Sequence, residues 1–239
     1  MIEHTLSIIE LPQLALAFIP VLLVIFIQYS WSLPQKKTIH ALIRMLVQLL
    51  LVGFFLSYLF ESNNAWIVLI LLIIMILFSS RIALNNINAP KKTLFQRAVL
   101  AISLSSFLTL LVITQGVLQL SPWYQAQTLI PLAGMVFASS MNSVSLSGER
   151  FYAELANKKN YKEARNIAFQ ASIIPNVNAL LAVGIVSLPG MMTGQILSGI
   201  SPFIAARYQI MVMCMIFASA GISSAYFLYL SQPKDEKTI

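Results

Sequence analysis

The sequence predicts an all-α fold: a polytopic membrane helical bundle of about seven transmembrane helices in a single domain, with the N-terminus outside and the C-terminus cytoplasmic. Three observations carry that expectation. Of the 239 residues, 58% are hydrophobic and only 10% charged, with a mean hydropathy of +0.81, whereas a soluble domain runs at about 45–50% apolar and about 25% charged. Apolar stretches close to bilayer-spanning length recur along the whole chain. The cations fall in alternate connections between them.

The stretches lie at about 11–29, 42–60, 65–80, 99–120, 128–147, 171–196 and 208–230. A crossing takes about 20 residues, so seven use about 140 and leave roughly 100 for loops and ends. A second soluble domain, or a catalytic ATP-hydrolysing domain of about 100 residues or more, does not fit in that remainder. The first stretch is expected to stay as a span rather than act as a cleaved signal peptide, because Glu3 and Glu10 precede it and no Lys or Arg does.

Orientation follows from charge. Of the 15 Lys and Arg residues, all but Arg44 and Arg207 fall in alternate connections or at the C-terminus: Lys36 and Lys37; Arg81, Lys91, Lys92 and Arg97; Arg150, Lys158, Lys159, Lys162 and Arg165; Lys234 and Lys237. Glu3, Glu10 and Glu61 sit on the opposite side, and the positive-inside rule makes the cationic side cytoplasmic. The net charge of +7 is therefore read against the membrane and not against nucleic acid, which would need a basic face on a folded soluble module. Tyr58, Trp66, Trp123 and Tyr124 fall near predicted outer helix ends, where amphipathic rings prefer the headgroup layer. The single cysteine, Cys214, permits no intrachain disulfide.

The longest connection between spans, about 148–170, opens with Gly148 and spaces Phe151, Tyr152 and Leu155 at helical intervals among charges. It reads as a short amphipathic helix beside the membrane. Inside the spans, Arg44 is the candidate ionisable group. Its stem can snorkel to the cytoplasmic surface, or it can line a polar inner surface with Gln48, which shares its helical face at i+4. Ser139 and Asn142 belong to a run of small and hydroxylated residues in the fifth span, suited to close helix packing or to lining a pathway. Asn176, Asn178 and Ser187 mark the sixth span, with Asn176, Gly184 and Ser187 on roughly one face. The pair Pro189 and Gly190 interrupts that span, and broken helices at membrane depth are tolerated only where buried in protein or lining water. Beyond it, 191–203 reads either as a segment dipping near the outer face or as an outer loop. Met191 and Met192 are weak candidates for soft-metal ligation, or ordinary apolar filler.

Chemistry is absent elsewhere. No Walker A, H-E-x-x-H or G-x-S-x-G sequence occurs, and the eight acidic residues lie in loops or near helix ends, which leaves no carboxylate relay across the bilayer. The chain is not expected to be an enzyme. A translocator that works against a gradient would need energy from another subunit, and 148–170 is the docking point for one.

The string Val186-Ser187-Leu188-Pro189-Gly190-Met191-Met192-Thr193-Gly194-Gln195-Ile196-Leu197, followed by Ser201-Pro202 and Tyr208-Gln209-Ile210-Met211, resembles the signature of the FetB-like permeases. These are membrane subunits of bacterial ABC transporters assigned to iron export, related to plant aluminium-tolerance permeases. Arg44, Gln48, Leu49, Val52 and Gly53 resemble the family's second span, and Ile130-Pro131-Leu132-Ala133-Gly134-Met135 its fifth; the likeness covers about 40–230. It implies a permease homodimer in the bacterial inner membrane paired with a separate ATPase subunit. That partner would hold ATP and Mg, with no cofactor in this chain, and the exported cargo would be a metal ion, iron by resemblance. Glu149, Arg150, Phe151, Leu155, Lys158, Lys159 and Lys162 would form the ATPase-coupling region, with Arg44, Gln48, Ser139, Asn142, Asn176, Asn178 and Ser187 along the pathway or a helix interface. The chain departs from the family pattern at Ala138-Ser139, where a Gly-Asn pair is usual, at Ala156-Asn157, where a Gly-Ala turn is usual, and at Asn178, where an acidic residue is often found. A nucleotide sugar or other small organic solute is the alternative cargo, and a membrane scaffold that transports nothing is the alternative class.

Overall fold

The computed structural model describes residues 9–61, 64–87 and 89–232. Glu3, His4, Lys234 and Lys237 lie outside these residues, and the side chains of Tyr58, Glu61 and Lys91 are likewise outside the described part. The chain forms two compact units, Met1–Ser62 and Asn63–Ile239.

In the first unit, α1 (Leu11–Leu16) and α2 (Phe18–Ser30) form one apolar stretch with a break at Ala17. Proline explains the break: Pro20 has no N–H to give to the Leu16 carbonyl, and its ring crowds that carbonyl. The stretch Leu11–Ser30 is apolar on all sides and has no buried residue. Helix α3 (Gln35–Glu61) is 27 residues long, about 40 Å at 1.5 Å per residue. It starts at Gln35 instead of near residue 42, so Lys36 and Lys37 occupy its first turn.

The second unit is built around α6 (Ala126–Ala156), which packs against α4 (Ala65–Ala83), α5 (Lys91–Leu111), α7 (Tyr161–Ala182) and α9 (Pro202–Leu230). Helix α9 in turn meets α5, α7 and the short α8 (Gly190–Leu197). Asn64 caps α4 by accepting from the Trp66 N–H at 2.9 Å, and α5 runs on into a π-helical turn, Val112–Val117. Leu11–Ser30, α4, α5 with its π turn, α6 and α9 are each long and apolar enough to cross a membrane. Among the described residues there is no strand, only an isolated bridge between Val183 and Ser187.

The structure corrects two expectations. The amphipathic helix proposed for 148–170 does not exist as a separate element. Residues Gly148 to Ala156 continue α6 without interruption, and Tyr161 onward already belongs to α7, so the connection shrinks to 157–160. The helical spacing of Phe151, Tyr152 and Leu155 is real but belongs to the end of a 31-residue helix. Such a helix is about 46 Å long, against about 30 Å of hydrocarbon, so it is longer than a straight crossing requires.

The second correction concerns the sixth span, which is not 171–196 but α7, a 22-residue helix from Tyr161 to Ala182. Its start is fixed by Asn160, which accepts from the Glu163 N–H at 2.9 Å. Helical geometry ends at Val183, and Gly184 takes φ +84°, a conformation that glycine adopts without a Cβ penalty. The break thus begins at Val183, six residues before Pro189, and Pro189-Gly190 instead open α8 as its N-cap and first residue. Gly184 and Ser187 are off the helix and share no helical face with Asn176. The 191–203 segment contains α8, whose 8 residues cover about 12 Å, too short to span.

Candidate functional site

Two features of the second unit join α6, α7 and α9, and the first is a seam of hydroxyls. The Ser139 hydroxyl donates to the Ile216 carbonyl of α9 at 3.0 Å and lies 3.5 Å from Asn176 Oδ1 of α7. Ser140 donates to the Ser219 carbonyl at 3.3 Å and meets Ser105 of α5 at 3.3 Å. Toward the cytoplasmic end expected from the charges, Ser172 of α7 and Ser224 of α9 share a hydrogen bond of 2.7 Å. All of these serines except Ser139 are buried. Small side chains let the helix backbones approach, and each such bond contributes only about 0.6 kcal/mol on average inside a membrane. The seam therefore holds the helices in register without locking them.

The second feature is the turn between α6 and α7. Helix α6 ends in a Schellman motif: the Lys158 N–H bonds the Leu155 carbonyl at 3.0 Å and the Lys159 N–H bonds the Glu154 carbonyl at 3.2 Å. Lys158 takes φ +62° there, at the position where glycine is commonest. This wraps Lys159 back over Glu154, whose carboxylate is 5% exposed and pairs with Arg150 Nη2 at 2.7 Å and Lys159 Nζ at 3.0 Å. Beneath the ion pairs, Phe151 packs edge-on against Tyr161 at 5.9 Å in a core with Ala164, Ala168 and Leu228. The Tyr161 hydroxyl donates to the Leu228 carbonyl at 3.2 Å, which ties the turn to the end of α9. Arg165 lies over the Tyr161 ring at 5.7 Å. A groove of about 620 Å³ runs alongside, lined by Asn160, Lys162, Glu163, Tyr229 and Gln232 among others.

The residues expected from sequence separate into groups. Glu149, Arg150, Lys158, Lys159 and Lys162 are exposed at the tip and Leu155 is half-buried, whereas Phe151 is fully buried and supports the tip from below without contributing surface. Ser139 and Asn176 come together; Asn142, Asn178 and Ser187 are exposed and take no part in the seam. Arg44 is half-buried and Gln48 exposed on α3 of the first unit. Met191 and Met192 are half-buried on α8 and Cys214 is exposed on α9. Among the described residues no three His, Cys, Asp or Glu side chains converge as metal ligands would.

Sequence reasoning missed Glu154, Ser105, Ser172 and Ser224. Arg150 and Glu154 at i,i+4 were a visible helical pair. The Lys159 contact depends on the turn geometry, and the serine pairs on which helices are neighbours, so neither leaves a local signal.

Comparison with known proteins gives a consistent result. The model of the family described as "Uncharacterised protein family (UPF0014)" matches residues 11–165 and 158–234. The "UPF0014 membrane protein slr1647" of Synechocystis is 37% identical over 76% of this chain and 76% of its own length. The Escherichia coli protein named "Probable iron export permease protein FetB" is 33% identical over 93% of this chain and 90% of its own. The Arabidopsis "Protein ALUMINUM SENSITIVE 3" is 29% identical over 92% and 85%. No solved structure matches.

Proposed function

Because the chain belongs to the UPF0014 family, a family of multi-pass membrane proteins that includes the permease-named relative above, we propose that it is the permease subunit of an ABC transporter in the inner membrane. It works as a homodimer of seven-span subunits with the N-terminus outside, and it exports a metal ion, iron first among candidates. Its energy comes from a separate ATPase subunit that binds ATP and Mg.

The observation that carries this reading is the α6–α7 turn. Its tip offers a cluster of exposed cations on a helix long enough to leave the membrane, and Glu154, Phe151 and Tyr161 brace it against α9. A push on such a tip moves α6, α7 and α9 together. The serine seam that links those helices is weak enough to exchange partners. ATP binding and hydrolysis in the partner can drive alternation only by favouring one permease arrangement over the other, and a stiff lever over a soft seam suits that coupling.

The test is ATP hydrolysis by the reconstituted two-subunit complex, measured against Fe(II), other divalent ions and nucleotide sugars. Stimulation by Fe(II) is expected; stimulation by nucleotide sugars alone would overturn the metal assignment. One observation favours that second cargo: the polar residues offered along α6 and α7, namely Ser139, Asn142, Asn176 and Asn178, are all neutral hydrogen-bonding groups.

A further inference from the structure

Between Glu61 and Glu149 the chain has no acidic residue, yet it places Arg81, Lys91, Lys92 and Arg97 around the connection from α4 to α5. Two of these cations line a pocket of about 320 Å³ together with Leu84, Asn85 and Phe95. The pocket has two characters. Leu84 is buried and Phe95 half-buried, which gives an apolar floor, while Arg81, Asn85 and Lys92 are exposed at the rim.

No counter-charge answers that rim. Among the described residues neither Arg81 nor Lys92 is in an ion pair, and Glu154 is already taken by Arg150 and Lys159. The start of α5 makes the imbalance sharper. Its N-cap, Pro90, offers no side-chain hydrogen bond, and no acidic residue lies in its first turn. Instead two lysines stand where free N–H groups and the positive end of the helix dipole already favour an anion. Arg81, by contrast, is in the last turn of α4, where a cation suits the dipole.

We propose that the Arg81–Lys92 pocket binds the headgroup phosphate of an anionic glycerophospholipid. The Arg81 guanidinium can take two phosphate oxygens side by side, Lys92 adds a point charge, and the Asn85 carboxamide reaches the glycerol or ester oxygens. Leu84 and Phe95 cover the first acyl carbons. A basic pocket between the ends of two spans is the setting in which such headgroups are held. A structural consequence follows, because Ile87 of the same connection abuts Gly148 of α6. Lipid held in the pocket steadies the base on which the α6–α7 turn stands.

The experiment uses the full chain in detergent. Retention of dioleoylphosphatidylglycerol is measured against dioleoylphosphatidylcholine by native mass spectrometry, with inorganic phosphate as a competitor. At roughly tenfold or more per pair of membrane-facing cations, the wild type should prefer the anionic lipid strongly. That preference should vanish in the Arg81→Gln/Lys92→Gln double variant and survive in Arg81→Lys/Lys92→Arg and in the control Lys36→Gln/Lys37→Gln on α3. Unfolding midpoints, raised by the anionic lipid in the wild type, should lose that rise in the same double variant only. A preference that survives the Arg81→Gln/Lys92→Gln change, or is lost equally in the control, overturns the site. Displacement of the lipid by millimolar inorganic phosphate overturns the lipid assignment in favour of a soluble anion.

Discussion

Replacing Glu154 by Gln tests whether the α6–α7 turn is braced as described. The carboxylate is 5% exposed, but its partners Arg150 and Lys159 are 50% and 41% exposed. Breaking a fully buried pair costs about 3–5 kcal/mol because a charge is stranded, while an exposed pair contributes about 0.2–1 kcal/mol. Here the stranded charges are the cations, and both can turn to water, so the loss falls between these limits at about 1–2 kcal/mol. For a chain of this length 1 kcal/mol corresponds to about 2–4 °C in midpoint, and thermal unfolding in a fixed detergent and lipid mixture should show a drop of about 2–8 °C. The gap should narrow in 1 M salt, where the Debye length is about 3 Å. Glu149→Gln is the control: its side chain is exposed and forms no ion pair among the described residues, and it should stay within about 0.5 kcal/mol of wild type. If Glu154→Gln matches that control, the ion pairs do not brace the turn.

Other substitutions follow from the same packing. Ser172→Ala and Ser224→Ala should each destabilise by about 0.6–1.7 kcal/mol, with the double variant costing less than the sum; full additivity in a double-mutant cycle would mean that the 2.7 Å contact contributes nothing. Gly148→Ala places a methyl against Ile87 and 3.1 Å from the Phe227 ring, an overpacking of about 1–3 kcal/mol. Gly134→Ala, whose nearest neighbour is the Met75 methyl at 3.7 Å, should be tolerated, and equal unfolding midpoints for the two would refute the close approach. Lys158→Gly relieves the left-handed backbone at φ +62° and should raise stability by up to about 1 kcal/mol; a fall in midpoint would mean that the lysine side chain contributes more than its backbone costs.

The spans were legible because lipid demands long apolar runs, and Leu11–Ser30, α4 and α9 lie close to where those runs fall. The ends of helices were harder. Nothing between Gly148 and Ala156 breaks a helix, so the amphipathic pattern there was read correctly as helical and wrongly as separate. Gly148 looked like a start but is a packing glycine, a role set by Ile87 and Phe227 from distant parts of the chain. At the other end of α7, Pro189-Gly190 was the visible breaker, although helical geometry already ends at an extended Val183, followed by Gly184 in a left-handed conformation. The turn's mechanics were the least legible part, because the Glu154–Lys159 contact depends on the left-handed turn that ends α6 and the Tyr161–Leu228 contact exists only once α7 and α9 have docked.

Uphill export from proteoliposomes tests the central claim most directly. Vesicles holding this chain with the proposed ATPase subunit should move cargo against a gradient only when ATP is present. Vesicles holding the chain alone should not, and Lys158→Glu/Lys162→Glu at the tip should abolish export while membrane insertion stays intact. Uphill movement by the chain alone, or an unchanged rate after that charge reversal, would contradict an ATPase-driven lever at the α6–α7 turn.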